Sequence, residues 1–368
     1  MPGKIRINFL SVTTLAFLIG LSSILSGVSS AGNVTNALIS LAIMVITLIT
    51  VLESNSINIF LIVIVLISSL VAIVNKQITL LSPAVIACLF FMTEASDTSS
   101  VRFANKVYFY TGLFLFAMVV FMALVFGVHN YQFTIWRNIT TVPRLSIGFE
   151  HPNVALVRWL GLMMSFVLIR TRKHKILAIL IFVLVLLPLY QLTKSRSSTY
   201  LVLFVLAVKL IETILQRTHV HIRLRSFVLA LVPWIFLVMS ILTLYIPWIQ
   251  QRFDALLSGR ISIYRMYFNQ FGIHVFGTQN SSITMIDNSY IQMLITKGTL
   301  FTILLMFVFT MVILSRKYLS LTLAAIIFAF FFLGMSETIL QHLELILPVI
   351  YGLRMERPEP EYEGLTTT

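Results

Sequence analysis

The chain of 368 residues is strongly apolar: 58% of its residues are hydrophobic, only 11% are charged, and its mean hydropathy is +0.97. This composition excludes an ordinary soluble domain and predicts a membrane protein with several spans. The formal net charge of +13 at pH 7 does not predict nucleic-acid binding, because the basic residues lie at the ends of apolar runs and not on one soluble face.

Twelve apolar runs follow one another along the chain, separated by short polar gaps. A bilayer core of about 30 Å needs roughly 20 helical residues, so each run predicts a transmembrane helix. The predicted spans are residues 8–29, 34–52, 57–74, 78–93, 108–128, 153–169, 176–191, 199–216, 227–247, 288–314, 318–334 and 338–353. The fold class is therefore predicted to be all-α, a polytopic membrane protein with about 12 transmembrane helices.

A single integral membrane domain is predicted over residues 1–353. Two of its connecting segments, 129–152 and 248–287, are longer than a connection requires, and long ordered loops usually carry function. The first span, 8–29, is interpreted as a retained helix and not as a signal peptide, because it has no clean small-residue cleavage site. The acidic, proline-containing tail 354–368 is predicted to be disordered.

Lysine and arginine are distributed unevenly between the two sides that alternating spans define. With the amino terminus inside, fifteen fall on the inner side and nine on the outer side, and only Arg158 and Lys209 lie within spans. The positive-inside rule then places both termini in the cytoplasm and the two long loops outside. Lys209 precedes Glu212 by one turn and is interpreted as part of a local pair, and the single cysteine, Cys88, as a packing residue.

The stretch GFEHPN leads directly into an apolar run that contains Arg158. Pro152 fits the first position of a helix, and His151 then occupies the cap position. Arg158 follows two turns later, roughly 9 Å inside the helix start at about 1.5 Å per residue, on the same face as His151. An imidazole, a guanidinium and a positive helix terminus would then face one space suited to an anionic ligand, next to Glu150 and Asn153. The alternative is that Arg158 snorkels or pairs with Glu150.

Two further outer stretches contain arginine. The stretch LTKSRSST places Arg196 at an external helix end, where a topology signal or a contact with lipid headgroups is the alternative. The stretch SGRISIYRMYF places Arg260 and Tyr264 one turn apart, with Arg265 beside them, and predicts a helix that lies in the outer interface. An ordinary amphipathic surface helix is the alternative here.

An acidic residue begins the stretch DNSYIQMLITKG, in which Asp287 and Asn288 precede a predicted helix. Helix capping is the alternative to a chemical role. The remaining acids on the outer side are Glu150, Asp254, Glu337 and Glu344. Because these acids do not have D-x-D or H-x-x-E-H spacing, and the sequence contains no GxxxxGK loop, neither a metal nor a cofactor is predicted.

Four outer stretches together resemble one family of membrane enzymes. In chain order they are GFEHPN, KSRSS, SGRISIY and DNSYIQMLITKG, and the family comprises the bacterial O-antigen and capsular polysaccharide polymerases with the related O-antigen ligases. The resemblance covers residues 146–314. It implies an all-helical, C-type-glycosyltransferase-like enzyme of the bacterial cytoplasmic membrane that joins undecaprenyl-diphosphate-linked glycans at the outer face. Flippase and chain-length regulator proteins are the implied partners.

The resemblance also assigns roles to single residues. Arg196 and Arg260 match the family's arginines and would stabilise the charge on the departing diphosphate, while Arg158 and Arg265 are added from position alone. In the ligases the residue before Asn in the xNxY motif is typically His. Here it is Asp287, which is therefore predicted to be the base that takes the acceptor proton.

Other residues remain alternatives or secondary contacts. His151, Glu150 and His342 are the competing candidates for the base. The residues predicted to contact the substrate directly are Glu150, Asn153, Tyr264, Asn288 and Tyr290.

Three other functions fit parts of the sequence. An O-antigen ligase shares the motifs, although Asp287 favours a polymerase. A lipid-linked oligosaccharide flippase would also use intramembrane arginine, but charge would then be expected in many spans and helices would be interrupted. A membrane acyltransferase would need an intramembrane histidine, for which His342 is the candidate.

Overall fold

A computed structural model of the chain describes residues 2–28, 59–137, 140–169, 175–217, 222–254, 259–278 and 286–356, with a few single positions between 38 and 49. Most of the predicted span 34–52, the inner basic cluster at 170–174 and most of the tail lie outside the described residues.

The described chain is mostly helical. The helices are α1 (Pro2–Leu25), α2 (Ile59–Asn75), α3 (Ser82–Ala95), α4 (Thr98–Phe126), α5 (Pro152–Leu168), α6 (Lys175–Thr193), α7 (Arg196–Arg217), α8 (Ser226–Ala230), α9 (Val232–Tyr245), α10 (Pro247–Phe253), α11 (Arg260–Phe271), α12 (Ser289–Thr296), α13 (Thr299–Leu314), α14 (Leu321–Leu333) and α15 (Leu343–Met355). A short 3₁₀ helix, Ile78–Leu81, precedes α3.

Four helical stretches of the described chain are long and apolar enough to cross a membrane. They are Thr98–Phe126, Lys175–Thr193, Arg196–Gln216 and Ser226–Tyr245. Several apolar helices of 10–17 residues accompany them. The prediction of a helical, membrane-embedded protein is thus supported in this coarser form, while the count of twelve spans and the glycosyltransferase fold stay predictions.

Two small antiparallel sheets depart from the all-α prediction. Strands β1 (Gln132–Arg137) and β2 (Thr140–Leu145) pair within the loop predicted at 129–152. Strands β3 (Arg223–Arg225) and β4 (Tyr318–Ser320) pair between distant parts of the chain. Hydropathy predicts spans but does not detect such short strands, although Thr, Ile, Val and aromatic residues around β1 and β2 favour extended backbone.

Span boundaries also differ from the predictions where a local signal acts. Helix α4 begins ten residues before the predicted start, because the Asp97 side chain accepts the backbone N–H of Ser100 at 3.0 Å and caps it. The predicted span 288–314 breaks at Gly298, which has φ +90°. A Cβ there would overlap the Val275 carbonyl, so the passing chain segment excludes any other residue.

The helices pack into one main apolar core. Helix α1 lies along α4, α7 packs between α5 and α14, and α15 packs against α3, α4 and α5. Buried polar bonds join these elements: Tyr108 donates its hydroxyl to the Glu344 carbonyl at 2.8 Å, and Asn105 donates to the Ser165 carbonyl at 3.1 Å. The packing role predicted for Cys88 is consistent with its burial in this core.

The bundle has two distinct ends. At the basic end, Lys209 pairs with Glu212 at 2.8 Å, which confirms the predicted local pair, and Thr322 also donates to Glu212. The basic end also holds the contacts of Arg316 with Glu94 and of Arg354 with the Ser96 carbonyl. At the loop end, by contrast, hydrogen bonds join the starts of α5, α11 and α12 to the connection between α14 and α15.

Candidate functional site

Six polar side chains from separate parts of the chain lie together at the loop end. This loop-end cluster consists of Arg144, His151, Asn153, Arg260, Asp287 and Glu337. They come from strand β2, the start of α5, the start of α11, the residue pair before α12 and the connection between α14 and α15. Each position lies at the beginning or end of an element, where side chains of several helices can converge.

Arg144 is the most buried member of the cluster. Its Nε donates to the Thr193 carbonyl at 2.6 Å, and its Nη2 donates to the amide oxygen of Asn153. The residue is only 4% exposed. A guanidinium held in this way keeps its charge and orientation, so it contributes a fixed positive field to the cluster.

Asn153 joins Arg144 to Glu337. Its amide nitrogen donates to Glu337 Oε1 at 2.8 Å. Burial raises the pKa of Glu337 to about 8, with Asp287 acting in the same direction and Arg260, Arg144 and Asn153 opposing it. At neutral pH the Glu337 carboxyl is therefore protonated and able to donate a hydrogen bond or a proton.

Arg260 and Asp287 form the accessible edge of the cluster. Arg260 Nη2 lies 3.1 Å from Asp287 Oδ2, and Arg260 Nη1 donates to the Ser336 carbonyl at 3.1 Å. The Asp287 side chain is 45% exposed and the Arg260 side chain 28%. The carboxylate can thus be reached by a second molecule, while the arginine beside it is anchored to backbone.

Asn288, and not Asp287, caps helix α12. The Asn288 side chain accepts the backbone N–H groups of Tyr290 and Ile291 at 3.0 and 3.1 Å. The capping alternative for Asp287 is therefore wrong, since its neighbour fills that role. Because Asn288 holds the helix start, it fixes the backbone from which Asp287 reaches Arg260.

His151 is the cap of α5, as its position before Pro152 predicts. Its Nδ1 accepts the Asn153 backbone N–H at 3.2 Å, and its ring packs edge-on against Phe133 at 5.2 Å. Burial lowers the pKa of His151, the charges of Arg144 and Arg260 lower it further, and Asp287 opposes them. The ring is therefore neutral near pH 7, and the cap hydrogen bond assigns its proton to Nε2. In this arrangement His151 is a hydrogen-bond donor and not a free base.

Arg158 lies deeper, in a separate buried group. Its guanidinium pairs with Glu344 in the first turn of α15, donates to Ser26 Oγ at 3.1 Å and lies 3.3 Å from His342 Nδ1. Its carboxylate partner is Glu344, so the alternative of pairing with Glu150 is wrong. The predicted common space with His151 is also corrected, because Arg158 faces α1 and α15 while His151 faces the loop-end cluster.

His342 contacts this buried group, and 38% of its own side chain is exposed. Its Nδ1 lies 3.0 Å from Glu344 Oε1, and it occupies the cap position of α15. The predicted span 338–353 thus begins later than expected, at Leu343. As a candidate base, His342 is tied to Arg158 and Glu344 rather than to the cluster.

Three predicted substrate contacts are buried, and the side chains of two of them donate hydrogen bonds within the protein. Asn288 donates to Ser240 Oγ at 3.0 Å, and Tyr290 donates to the Phe331 carbonyl at 3.0 Å. Tyr264 packs with Ile286 and Ile291 in a small apolar cluster. Burial keeps the pKa of the Tyr264 hydroxyl above its usual range. These three side chains help to hold the site in place, and their direct contact with substrate stays a prediction.

The remaining predicted residues lie around the cluster. Arg196 begins α7 with an exposed side chain, three residues beyond the Thr193 carbonyl that Arg144 holds. Glu150 is exposed, with its backbone N–H bonded to the Gly27 carbonyl at 2.7 Å. Arg265 points away from Arg260 and donates to the Gln250 side chain of α10, so its predicted place in the diphosphate set is corrected.

Sequence reasoning missed two members of the cluster. Arg144 is one of the nine basic residues on the predicted outer side, and Glu337 is one of the acids there. Neither lies in a motif, and their relevance comes from contacts with Asn153 that join residues up to 184 positions apart in sequence. The sequence signal that could have found them is that each lies between two apolar runs on the predicted outer side, where the four motifs also lie.

The cluster combines two guanidinium groups, an accessible carboxylate, a protonated carboxyl and a neutral imidazole. Such a set can bind an anion, accept a proton at Asp287 and donate one at Glu337. Among the described residues, no three His, Cys, Asp or Glu lie together in a way that could hold a metal ion. The chain matches no family model, and no curated protein or solved structure is significantly similar to it.

Proposed function

We propose that the chain is a polysaccharide polymerase that joins undecaprenyl-diphosphate-linked repeat units at the outer face of the bacterial cytoplasmic membrane. The observation that carries the proposal is the half-exposed Asp287 carboxylate held by Arg260 at 3.1 Å, at the edge of a cluster that also contains a buried arginine. Asp287 and Arg260 lie in stretches that resemble the polymerase family.

The arginines suit a diphosphate leaving group. When the bond between the anomeric carbon and the phosphate oxygen breaks, the electron pair stays on that oxygen and negative charge develops there. Arg260 and Arg144 supply oriented positive charge, which is worth most in a partly dehydrated site. Glu337, with its pKa raised to about 8, can add a hydrogen bond to the same oxygens without adding negative charge.

Asp287 suits the base. A hydroxyl of the acceptor glycan forms the new bond to the anomeric carbon of the donor and transfers its proton to the Asp287 carboxylate. The step balances: one carbon–oxygen bond forms, one breaks, the proton moves to Asp287 and undecaprenyl diphosphate leaves as an anion. His151 is the weaker candidate, because its Nδ1 is occupied by the helix cap.

The proposal is tested with purified full-length protein and purified lipid-linked repeat units. Asp287→Asn keeps the shape and removes the base, so we expect polymer formation to fall by at least about 100-fold, within the usual range for a lost general base. Asp97→Asn is the matched control, because Asp97 caps α4 at the basic end and Asn caps as well as Asp. Control activity should equal wild type.

Different outcomes separate the rival functions. Full activity of Asp287→Asn would remove Asp287 from the chemistry. In cells that lack the chain, accumulation of single lipid-linked repeat units on the outer leaflet supports a polymerase. Uncapped lipid A with normal polymer would indicate a ligase, and retention of repeat units on the inner leaflet would indicate a flippase.

A further inference from the structure

A polar groove runs between α10 and α11, on the side of α11 opposite to the loop-end cluster. Its volume is about 630 Å³, and it is lined by Gln250, Ser262, Arg265, Met266, Asn269 and Gln270. Cavities that hold small ligands typically measure about 300–1,000 Å³. The groove has room for a ligand, which it would cover on one side only, because it is widely open to solvent.

Two faces of α11 explain why the groove is polar. Tyr264 is buried and holds the helix against the apolar cluster around Ile291, and Ile261 is buried as well. Ser262, Arg265 and Asn269 follow a spacing of three to four residues, so they share the other face. The groove is thus presented by a helix whose position is fixed by its buried side.

Part of the lining is already organised by hydrogen bonds. Arg265 donates to the Gln250 amide oxygen, Gln250 Nε2 donates to Ser262 Oγ at 2.9 Å, and Ser262 donates to Asp254. This chain sets the direction of each donor and acceptor. The single arginine of the lining donates to a neutral amide, so it keeps its positive charge and its remaining N–H donors, which can pair with hydroxyl oxygens as well as with anions.

Asn269 and Gln270 complete the lining with exposed side chains. Each amide offers two N–H donors and one carbonyl acceptor. A sugar hydroxyl is both a donor and an acceptor, so it pairs with amides better than a phosphate does, since phosphate oxygens only accept at neutral pH. A lining of several amides beside one guanidinium therefore suits a hydroxyl-rich ligand.

We propose that the groove between α10 and α11 binds the saccharide part of the substrate, leaving the diphosphate to the loop-end cluster. This inference rests on the proposed polymerase function. Arg260 begins α11 at the cluster, and Ser262 lies only two residues further along but on the opposite face, so a glycan that leaves the cluster reaches the groove by crossing the start of α11.

The test uses the full-length protein in nanodiscs and two probes. One probe is the oligosaccharide released from lipid-linked repeat units by mild acid, and the other is undecaprenyl diphosphate alone. The variant Asn269→Ala with Gln270→Ala removes two free amides, and Gln251→Ala is the matched control, an exposed amide outside the groove lining.

We expect the double variant to bind the oligosaccharide about tenfold more weakly, as the loss of two neutral hydrogen bonds predicts. Its affinity for undecaprenyl diphosphate should be unchanged, and its polymer should be shorter. Gln251→Ala should match wild type in all three measurements.

Unchanged oligosaccharide binding in the double variant would overturn the inference. So would equal weakening for both probes, or an effect confined to nanodiscs with anionic lipid, which would identify the groove as a headgroup site. If the wild-type protein binds the oligosaccharide but forms no polymer, the polymerase proposal fails and the groove stands. If polymer forms with unchanged length in the double variant, the groove fails and the polymerase proposal stands.

Discussion

Replacing Arg158 by Met separates a structural role of this arginine from a role in substrate binding. The residue is 6% exposed, and its charge is balanced by Glu344. Met keeps most of the side-chain volume but leaves the Glu344 carboxylate without its positive partner. Breaking a buried ion pair from one side typically costs about 3–5 kcal/mol.

We expect Arg158→Met to lower the free energy of unfolding by about 3 kcal/mol, the lower end of that range. Two features of the structure reduce the loss. Glu344 keeps its contact with His342 at 3.0 Å, and it lies in the first turn of α15, where the helix dipole favours a negative charge. Arg158 Nε has no hydrogen-bond partner among the described residues, so its removal also relieves one unsatisfied donor.

Adding Glu344→Leu should restore most of the lost stability, because replacing both members of a buried pair by apolar residues is often neutral. Unfolding in detergent micelles can be followed through the four tryptophans. Arg265→Met is the matched control, since this arginine is only half-buried, and it should change the free energy of unfolding by less than about 1 kcal/mol.

One result would refute this reasoning. If Arg158→Met is as stable as wild type while polymer formation is lost, then Arg158 binds substrate, and its pair with Glu344 does not contribute to the stability of the fold. If the double variant Arg158→Met, Glu344→Leu is less stable than either single variant, apolar packing does not replace the ion pair, and the reasoning is also contradicted.

Three further predictions concern the cluster and the topology. Arg260→Lys keeps the charge but loses the planar guanidinium that contacts both Asp287 and the Ser336 carbonyl, so polymer formation should fall about 10-fold or more. Arg196→Lys should have a smaller effect. An equal loss of polymer formation in the two purified variants would contradict this order. Glu337 has a folded pKa of about 8, above its unfolded value of 4.5, so the folded state binds the extra proton between these values. Stability should therefore fall by up to about 1.4 kcal/mol per unit as pH rises from 4.5 to 8, and Glu337→Gln should flatten that slope in unfolding measured against pH. In a variant without Cys88, a cysteine placed at position 275 should react with a membrane-impermeant thiol reagent added outside cells, and a cysteine at 222 should not. Reversed labelling would place the loop-end cluster in the cytoplasm.

The sequence determined the helical, membrane-embedded character of the chain and several local features. Hydropathy is a sum over consecutive residues, so it predicts apolar helices without knowledge of their neighbours. Caps are local as well, which is why the cap role of His151 before Pro152 and the pair of Lys209 with Glu212 followed from spacing alone. The helix at Arg260–Phe271 also followed from local spacing, because Arg260 and Tyr264 lie one turn apart.

Tertiary structure alone decided which polar residues meet. Arg158 was predicted to face an anion, but its partner Glu344 comes from a helix 186 positions later, and no periodicity reports such a contact. Arg144 and Glu337 joined the cluster through Asn153 for the same reason. The choice of Asn288 over Asp287 as the cap depends on side-chain rotation at a single helix start, and it leaves Asp287 free to meet Arg260. The chemistry of a site depends on distances between side chains, and these are set by the packing of helices that the sequence specifies only collectively.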